Sequence, residues 1–315
     1  MDHRLDPTPN SVHGRFSSTL EPAVTIGSGD RIIASTVDVT WGIEQHGAPG
    51  TVRRRFEPRD PERDAGGPAM VGPVAVRGAR PGMTLEVIME EIVPTTWGWT
   101  CAGPGPFNGE LNREIGVEDE HWTLIRWTID VAAGIATNEQ GDRVALAPFL
   151  GTIGLCPRGV ADDGTPWHCG WTPRNTGGNM DCSLLRAGAS LFLPIEVDGG
   201  LLSFGDGHAV QADGESSGTA IECPMDRVAL RCVLHEDQRV ATPRVQVDGV
   251  RATLGFAETL DRAAYRALGA MLDWREELSG RPRAELLALS SLDVDLRVTQ
   301  WVNPLRGVHA VWTEG

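Results

Sequence analysis

Six side chains suited to binding a metal, moving a proton or holding a small substrate fall within Leu201–Met225, LLSFGDGHAVQADGESSGTAIECPM: Asp206, His208, Gln211, Asp213, Glu215 and Glu222. The Asp206-Gly207 and Asp213-Gly214 steps turn the chain where bulkier residues would clash. Carboxylates and an imidazole on such turns, held between apolar strands, can converge on a metal ion or a reacting carbonyl. An acidic, glycine-rich turn is also the ordinary chemistry of a solvated hairpin. Glu222 argues against that reading. It stands between Ile221 and Cys223 in a run that reads as buried strand, and a buried carboxylate needs a partner.

The residue types suggest a division of labour. Asp206 and His208, two positions apart, share a face if the segment is extended. An oxygen and a neutral imidazole nitrogen would then reach one divalent ion together: zinc, or calcium or magnesium given so many oxygen donors. Asp181, closing TGGNMD, reads equally as a further ligand or as the cap of a Gly-Gly-Asn turn. Glu222 suits a general base, because a partly buried carboxyl has a raised pKa and exchanges protons near neutrality. Glu215 is the second candidate for that role. Gln211, Asp213, His46, Trp167 and Trp171 are candidates for contact with substrate, the tryptophans as walls of a small apolar pocket.

At this point the residues resemble a family, the acetamidase/formamidase proteins. The resemblance rests on Ser203–Glu215 and the following GTAIECPM, on TGGNMD at Thr176–Asp181, LPIEV at Leu193–Val197 and WGWT at Trp97–Thr100. It extends to DVDLRVTQWVN at Asp293–Asn303 and to His13, Phe16, Pro22, Ile26, Gly29 and Asp30 near the start. It implies a hydrolase of small linear amides such as formamide or acetamide, releasing carboxylate and ammonia. It also makes Asp38, in STVDVTW, a further metal ligand. Ala212 stands where the family usually has Gly, and the family's Gly-Gly-Gln stretch is replaced by TWGIEQHG at Thr40–Gly47, a change that bears on the pocket. A competing function of another class is a metal-stabilised β scaffold that binds a small metabolite without turnover.

Composition narrows the chemistry. The chain has 315 residues and a formal net charge of -15, which disfavours nucleic acid and anionic membrane as partners. It contains no lysine, so all 28 basic residues are arginine. A Walker A loop, a Schiff base and amide hydrolysis by a Cys-Glu-Lys or Ser-Ser-Lys constellation are therefore excluded. Six cysteines without a CxxC step read as reduced, buried thiols. No apolar run is long enough to span a bilayer and MDHRLDPTPN is polar, so the expectation is a cytoplasmic protein, associating as a homodimer.

The elements that must position these residues are mostly strands. The 38 glycines and 21 prolines suit short strands joined by turns. Two strands are expected around Gly29-Asp30, two across Gly72–Val93, and others at Trp122–Val131, Arg143–Ala147 and Leu184–Val247. Glu57–Gly67 reads as an exposed loop, and Ala147–Asn179 as a long irregular segment covering the site. Helical spacing predicts a helix over Glu258–Leu278 stopped by Gly280, and a shorter one over Pro282–Leu289. A final strand alternates through Val294, Leu296 and Val298. The fold class expected is mainly β: two packed β-sandwich or barrel-like modules, 1–150 and 151–315, with a late α-helical insertion near 258–289.

Overall fold

The computed structural model describes residues 1–47, 51–57, 67–103 and 109–313. The fold is mainly β, as expected. A nine-stranded sheet runs in the order Asp2–Leu5, Arg31–Ala34, Met225–His235, Thr84–Pro94, Ser190–Pro194, Arg244–Val247, Val250–Ala257, Arg306–Thr313 and Val294–Gln300. A six-stranded sheet takes Gly177–Asn179, Phe149–Gly154, Leu202–His208, Met70–Val76 and Val12–His13 in order, with Val24–Ile26 also beside Met70–Val76. A four-stranded antiparallel sheet is built from Arg143–Ala145, Ile135–Asn138, Thr123–Asp130 and Trp97–Ala102. Both larger sheets draw strands from either side of residue 150.

The two larger sheets differ in their burial patterns. Thr84–Pro94 alternates buried and half-buried residues over much of its length, the signature of a strand with one face on the core. Met70–Val76, Phe149–Gly154 and Leu202–His208 are buried at every position, so the six-stranded sheet is covered on both faces. Leu85, Val87 and Met89 of the first sheet share one apolar cluster with Val71, Leu150, Ile153, Leu202 and Phe204 of the second. The most deeply buried sheet is therefore also the one that carries Asp206 and His208.

Some expectations need correction. Ala147–Asn179 is not one irregular piece. Phe149–Gly154 and Gly177–Asn179 are paired strands of the inner sheet, hidden from a periodicity reading because burial on both faces removes alternation. The two strands of Gly72–Val93 exist as Met70–Val76 and Thr84–Pro94 but join different sheets. Glu57–Gly67 and the Trp97–Asn108 stretch lie partly outside the described residues.

The long helix spans Leu260–Ser279, with the Thr259 hydroxyl as its N-cap and Gly280 at φ 65 as its C-cap. It lies against Val250–Ala257 so closely that a Cβ on Gly255 would strike the backbone of Ala263 and Ala267. This explains why small Ala263 and Ala267, with Met271, form the buried face rather than Leu268. The second helix, Arg283–Asp293, has Pro282 as its N-cap and runs four residues further than expected. No helix among the described residues is long and apolar enough to cross a membrane.

Candidate functional site

The inner sheet positions the acidic cluster through an unusual register. Phe149–Gly154 pairs antiparallel with Leu202–His208, and the pairs run Phe149↔His208, Leu150↔Gly207, then Thr152↔Gly205. Asp206 falls opposite Gly151 in the interruption. It has φ 55, and Asp181 and Glu215 likewise sit at φ 50 and φ 47. Left-handed backbone is costly for residues with a Cβ and persists where the surrounding structure enforces it, often at functional sites. Here three candidate acids have it. The Asp181 turn is pinned by the amides of Met180 and Asp181, which both donate to the carbonyl of Gly151, at 3.0 and 3.1 Å.

The cluster forms around His208, which is 1% exposed. Its Nε2 is 3.2 Å from Asp206 Oδ1 and 3.2 Å from Glu222 Oε2. Ligand atoms of Asp181, Asp206 and His208 lie within 4.8 Å of one another, as do those of His208, Glu215 and Glu222. All five residues are buried. Three polar atoms in this region have no hydrogen-bond partner: Asp181 Oδ1, His208 Nδ1 and Gln211 Oε1. Buried donors and acceptors are normally satisfied, so this concentration of unsatisfied atoms marks a place built for something else. These groups also crowd against Gly151, where only a glycine fits. A Cβ on Gly151 would lie 2.6 Å from Asp181 Oδ1, 2.7 Å from His208 Cε1 and 2.8 Å from Asp206 Oδ2.

An outer ring of neutral donors orients the acids. Asn303 Nδ2 donates to Asp181 Oδ2 at 2.5 Å and to the carbonyl of Asn179 at 3.1 Å. Asn179 Nδ2 donates to Asp181 Oδ2 at 3.1 Å. The Thr152 hydroxyl lies 3.0 Å from Asp206 Oδ2 and also contacts Asn179 Oδ1. Gln211 Nε2 donates to the carbonyl of Asp181 at 2.8 Å. Glu222 Oε1 accepts from the amide of Ala220 at 2.9 Å.

Burial without enough countercharge shifts the protonation of the cluster. Burial, reinforced by the Asp206 carboxylate, pushes Asp181 up to about 8. Burial raises Glu222 to about 7, against the pull of His208. Glu215 is pushed well above the usual carboxyl range by burial and then by the charge of Asp181. Burial presses the His208 imidazole down, but Glu222 and Asp206 outweigh it and hold it well above its ordinary value. Four acids around one imidazole therefore hold protons near neutrality in the protein alone, protons that a bound cation would displace.

Not every expected residue joins the cluster. Asp38 is fully buried but already satisfied. Arg53 Nη1 lies 3.0 Å from its Oδ1, the amide and hydroxyl of Thr40 donate to Oδ1 at 2.9 and 2.6 Å, and Trp99 Nε1 donates to Oδ2 at 2.5 Å. A carboxylate neutralised by a buried guanidinium is a poor ligand, and the expected ligation by Asp38 does not fit this arrangement. Asp213 is exposed and accepts only a long bond, 3.3 Å, from Ser183. The Asp-Gly turn that carries it points it outward. His46 is not part of the cluster; it packs edge-on against the ring of Trp99 at 5.0 Å, and burial lowers its pKa. Trp167 and Trp171 are half-buried beside the ribbon formed by His168–Cys169 and Arg15–Phe16. Phe149 packs against the site, its ring meeting that of His208 at 4.9 Å, and Trp99 is bridged to Glu222 through its backbone. Sequence reasoning passed over Thr152, Asn179, Asn303, Gly151 and Arg53. Asn179 and Asn303 do lie inside motifs that carried the resemblance.

Comparison with known proteins agrees with this geometry. The model of the Acetamidase/Formamidase family matches residues 169–252, the stretch that contains Asp181, Asp206, His208, Glu215 and Glu222. The chain is 39% identical over 101 residues to the acetamidase of Mycolicibacterium smegmatis, covering 29% of this chain and 24% of that protein. It spans less than half the length of the curated relatives it matches. A predicted acetamidase/formamidase from Thermoanaerobacter tengcongensis superimposes with a TM-score of 0.84 at 25% identity, over 99% of this chain and 95% of that one. An acetamidase from Bacillus halodurans gives 0.83 at 28% identity, over 98% and 97%. The resemblance to the acetamidase/formamidase family is borne out, locally in sequence and over nearly the whole chain in fold.

Proposed function

We propose that this protein hydrolyses small linear amides to a carboxylate and ammonia, using a divalent ion held by Asp181, Asp206 and His208 and a general base supplied by Glu222. The observation that carries the reading is the convergence of ligand atoms of Asp181, Asp206 and His208 within 4.8 Å of one another, against Gly151, with unsatisfied Asp181 Oδ1 and His208 Nδ1 in the same cluster. The donor set of two carboxylates and an imidazole fits zinc, and its oxygens also fit calcium or magnesium. Such an ion, when bound, supplies Lewis acidity toward the amide carbonyl.

The chain's own residues carry the remaining tasks. Glu222, raised toward neutrality by burial, takes a proton from the attacking water and returns it to the departing nitrogen. Glu215, whose carboxylate lies within 4.8 Å of ligand atoms of both Glu222 and His208, is the second proton carrier. Gln211 has an unsatisfied Oε1 that can accept from the amide nitrogen of a substrate. Asn303, Asn179 and Thr152 hold Asp181 and Asp206 in place, as outer partners of ligating residues do. The near-complete burial of the cluster favours amides as small as formamide or acetamide.

Ammonia release from a panel of formamide, acetamide and propionamide tests the reading. Wild-type protein should turn over at least one of them. Glu222→Gln should fold and lower kcat by about a hundredfold or more. A protein that binds a divalent ion but releases no ammonia would be a metal-stabilised binding scaffold instead.

A further inference from the structure

Glu222 belongs to no strand of the fold, yet its position is fixed from both sides. Its amide donates to the carbonyl of Trp99 at 2.8 Å, and the amide of Trp99 donates back to its carbonyl at 2.9 Å. On the other flank its neighbours pair with the strand of His208, Cys223 through Gly207 and Ile221 through Val210. Contact with the Trp97–Ala102 strand is tight. A Cβ on Gly98 would stand 2.7 Å from Ile221 Cγ2 and 2.8 Å from the carbonyl of Glu222. Trp99 is itself held by its ring, whose Nε1 donates to Asp38. Asp38 is in turn immobilised by Thr40 and by Arg53, a guanidinium with only 8% of its side chain exposed.

We propose that Asp38 and Trp99 form a clasp, anchored by Arg53, that positions Glu222 against His208. The proposal rests on the reading of Glu222 as the base. Asp38 and Trp99 are positioning residues: neither is placed against the reacting atoms, and each acts through the backbone that carries Glu222. A base must be held to within about 0.5 Å of its working position to be effective, and Glu222 owes half of its backbone restraint to a strand whose aromatic anchor is Asp38.

Trp99→Phe keeps the ring and removes the N–H, and Asp38→Asn keeps the shape and removes the charge. For each variant the exchange of the amides at positions 99 and 222 is measured, with Leu230 in the large sheet as internal reference, alongside kcat and KM for the best amide. Exchange at 99 and 222 should quicken by about tenfold or more while Leu230 is unchanged. The kcat should fall by about tenfold to a hundredfold with KM within about threefold of wild type. If Asp38→Asn fails to fold, Trp99→Phe decides alone. Unchanged exchange overturns the proposal, and so does faster exchange with wild-type kcat. If exchange responds while wild-type protein releases no ammonia, the hydrolase reading falls and the clasp on Glu222 stands.

Discussion

Two buried carboxylate sites meet at Trp99, and they are built on opposite principles. At Asp38 one carboxylate receives a guanidinium, an indole N–H, a hydroxyl and a backbone amide. Around His208 four carboxyl groups share one imidazole, three asparagine or glutamine donors are spent on Asp181 alone, and Asp181 Oδ1 and His208 Nδ1 have no partner. The first carboxylate is fully partnered within the protein, although Arg53 Nη2 has no partner of its own. The second cluster is the one that a cation, as proposed, would complete. Burial of acidic residues does not by itself distinguish structure from function. Satisfaction does, because an unpaired buried charge is too costly to keep without a purpose.

The contrast can be broken first at Gly151. Gly151→Val should drive its side chain into Asp181, Asp206 and His208, leave the strand pairing possible, and lower both bound metal and activity, the latter by about a hundredfold. Elemental analysis beside the amide assay checks this. Full metal content in a folded variant would show that the ion, if any, sits elsewhere.

A second break falls on the satisfied site. Arg53→Met leaves Asp38 buried without its countercharge, and should cost about 3–5 kcal/mol of stability without changing metal stoichiometry in the protein that folds. Denaturant unfolding reads the loss. A loss under about 1 kcal/mol would mean that the pair is far better hydrated than its burial implies.

Smaller effects sharpen the comparison. Asn303→Ala removes the 2.5 Å donor to Asp181, and should weaken metal affinity by about tenfold to a hundredfold, measured by competition with a chromophoric chelator. The smallest change should have the opposite sign. In chelator-treated protein at neutral pH, Asp181→Asn removes an acid from a crowded cluster, and should stabilise the fold by about 1–2 kcal/mol, whereas Asp38→Asn should destabilise it. Equal signs for the two variants would erase the distinction drawn between the sites.

The sequence conveyed the local part of this picture. Asp206 and His208 meet, as two-residue spacing suggests, although Asp206 does so through a left-handed backbone rather than an extended one. Glu222 is a buried carboxylate because Ile221 and Cys223 are buried around it. The long helix and its Gly280 stop are legible from apolar spacing and one glycine. What escaped is what depends on distant chain. Asn303 reaches Asp181 across 122 positions, and no periodicity encodes that. Asp38 reads as a ligand by resemblance alone, and Arg53, fifteen positions away in an irregular segment, gives no sign in sequence of folding back onto it. The strand Phe149–Gly154 was lost because burial on both faces erases alternation.

As proposed, the cluster around His208 is an unfinished site which a divalent ion completes for amide hydrolysis. Titrating zinc into chelator-stripped protein, while following ammonia release from the preferred amide, tests it most directly. Activity should start near zero, rise in proportion to added metal and level off at about one equivalent per chain. Stripped protein that hydrolyses the amide at the full rate, with no response to zinc, calcium or magnesium, would contradict it.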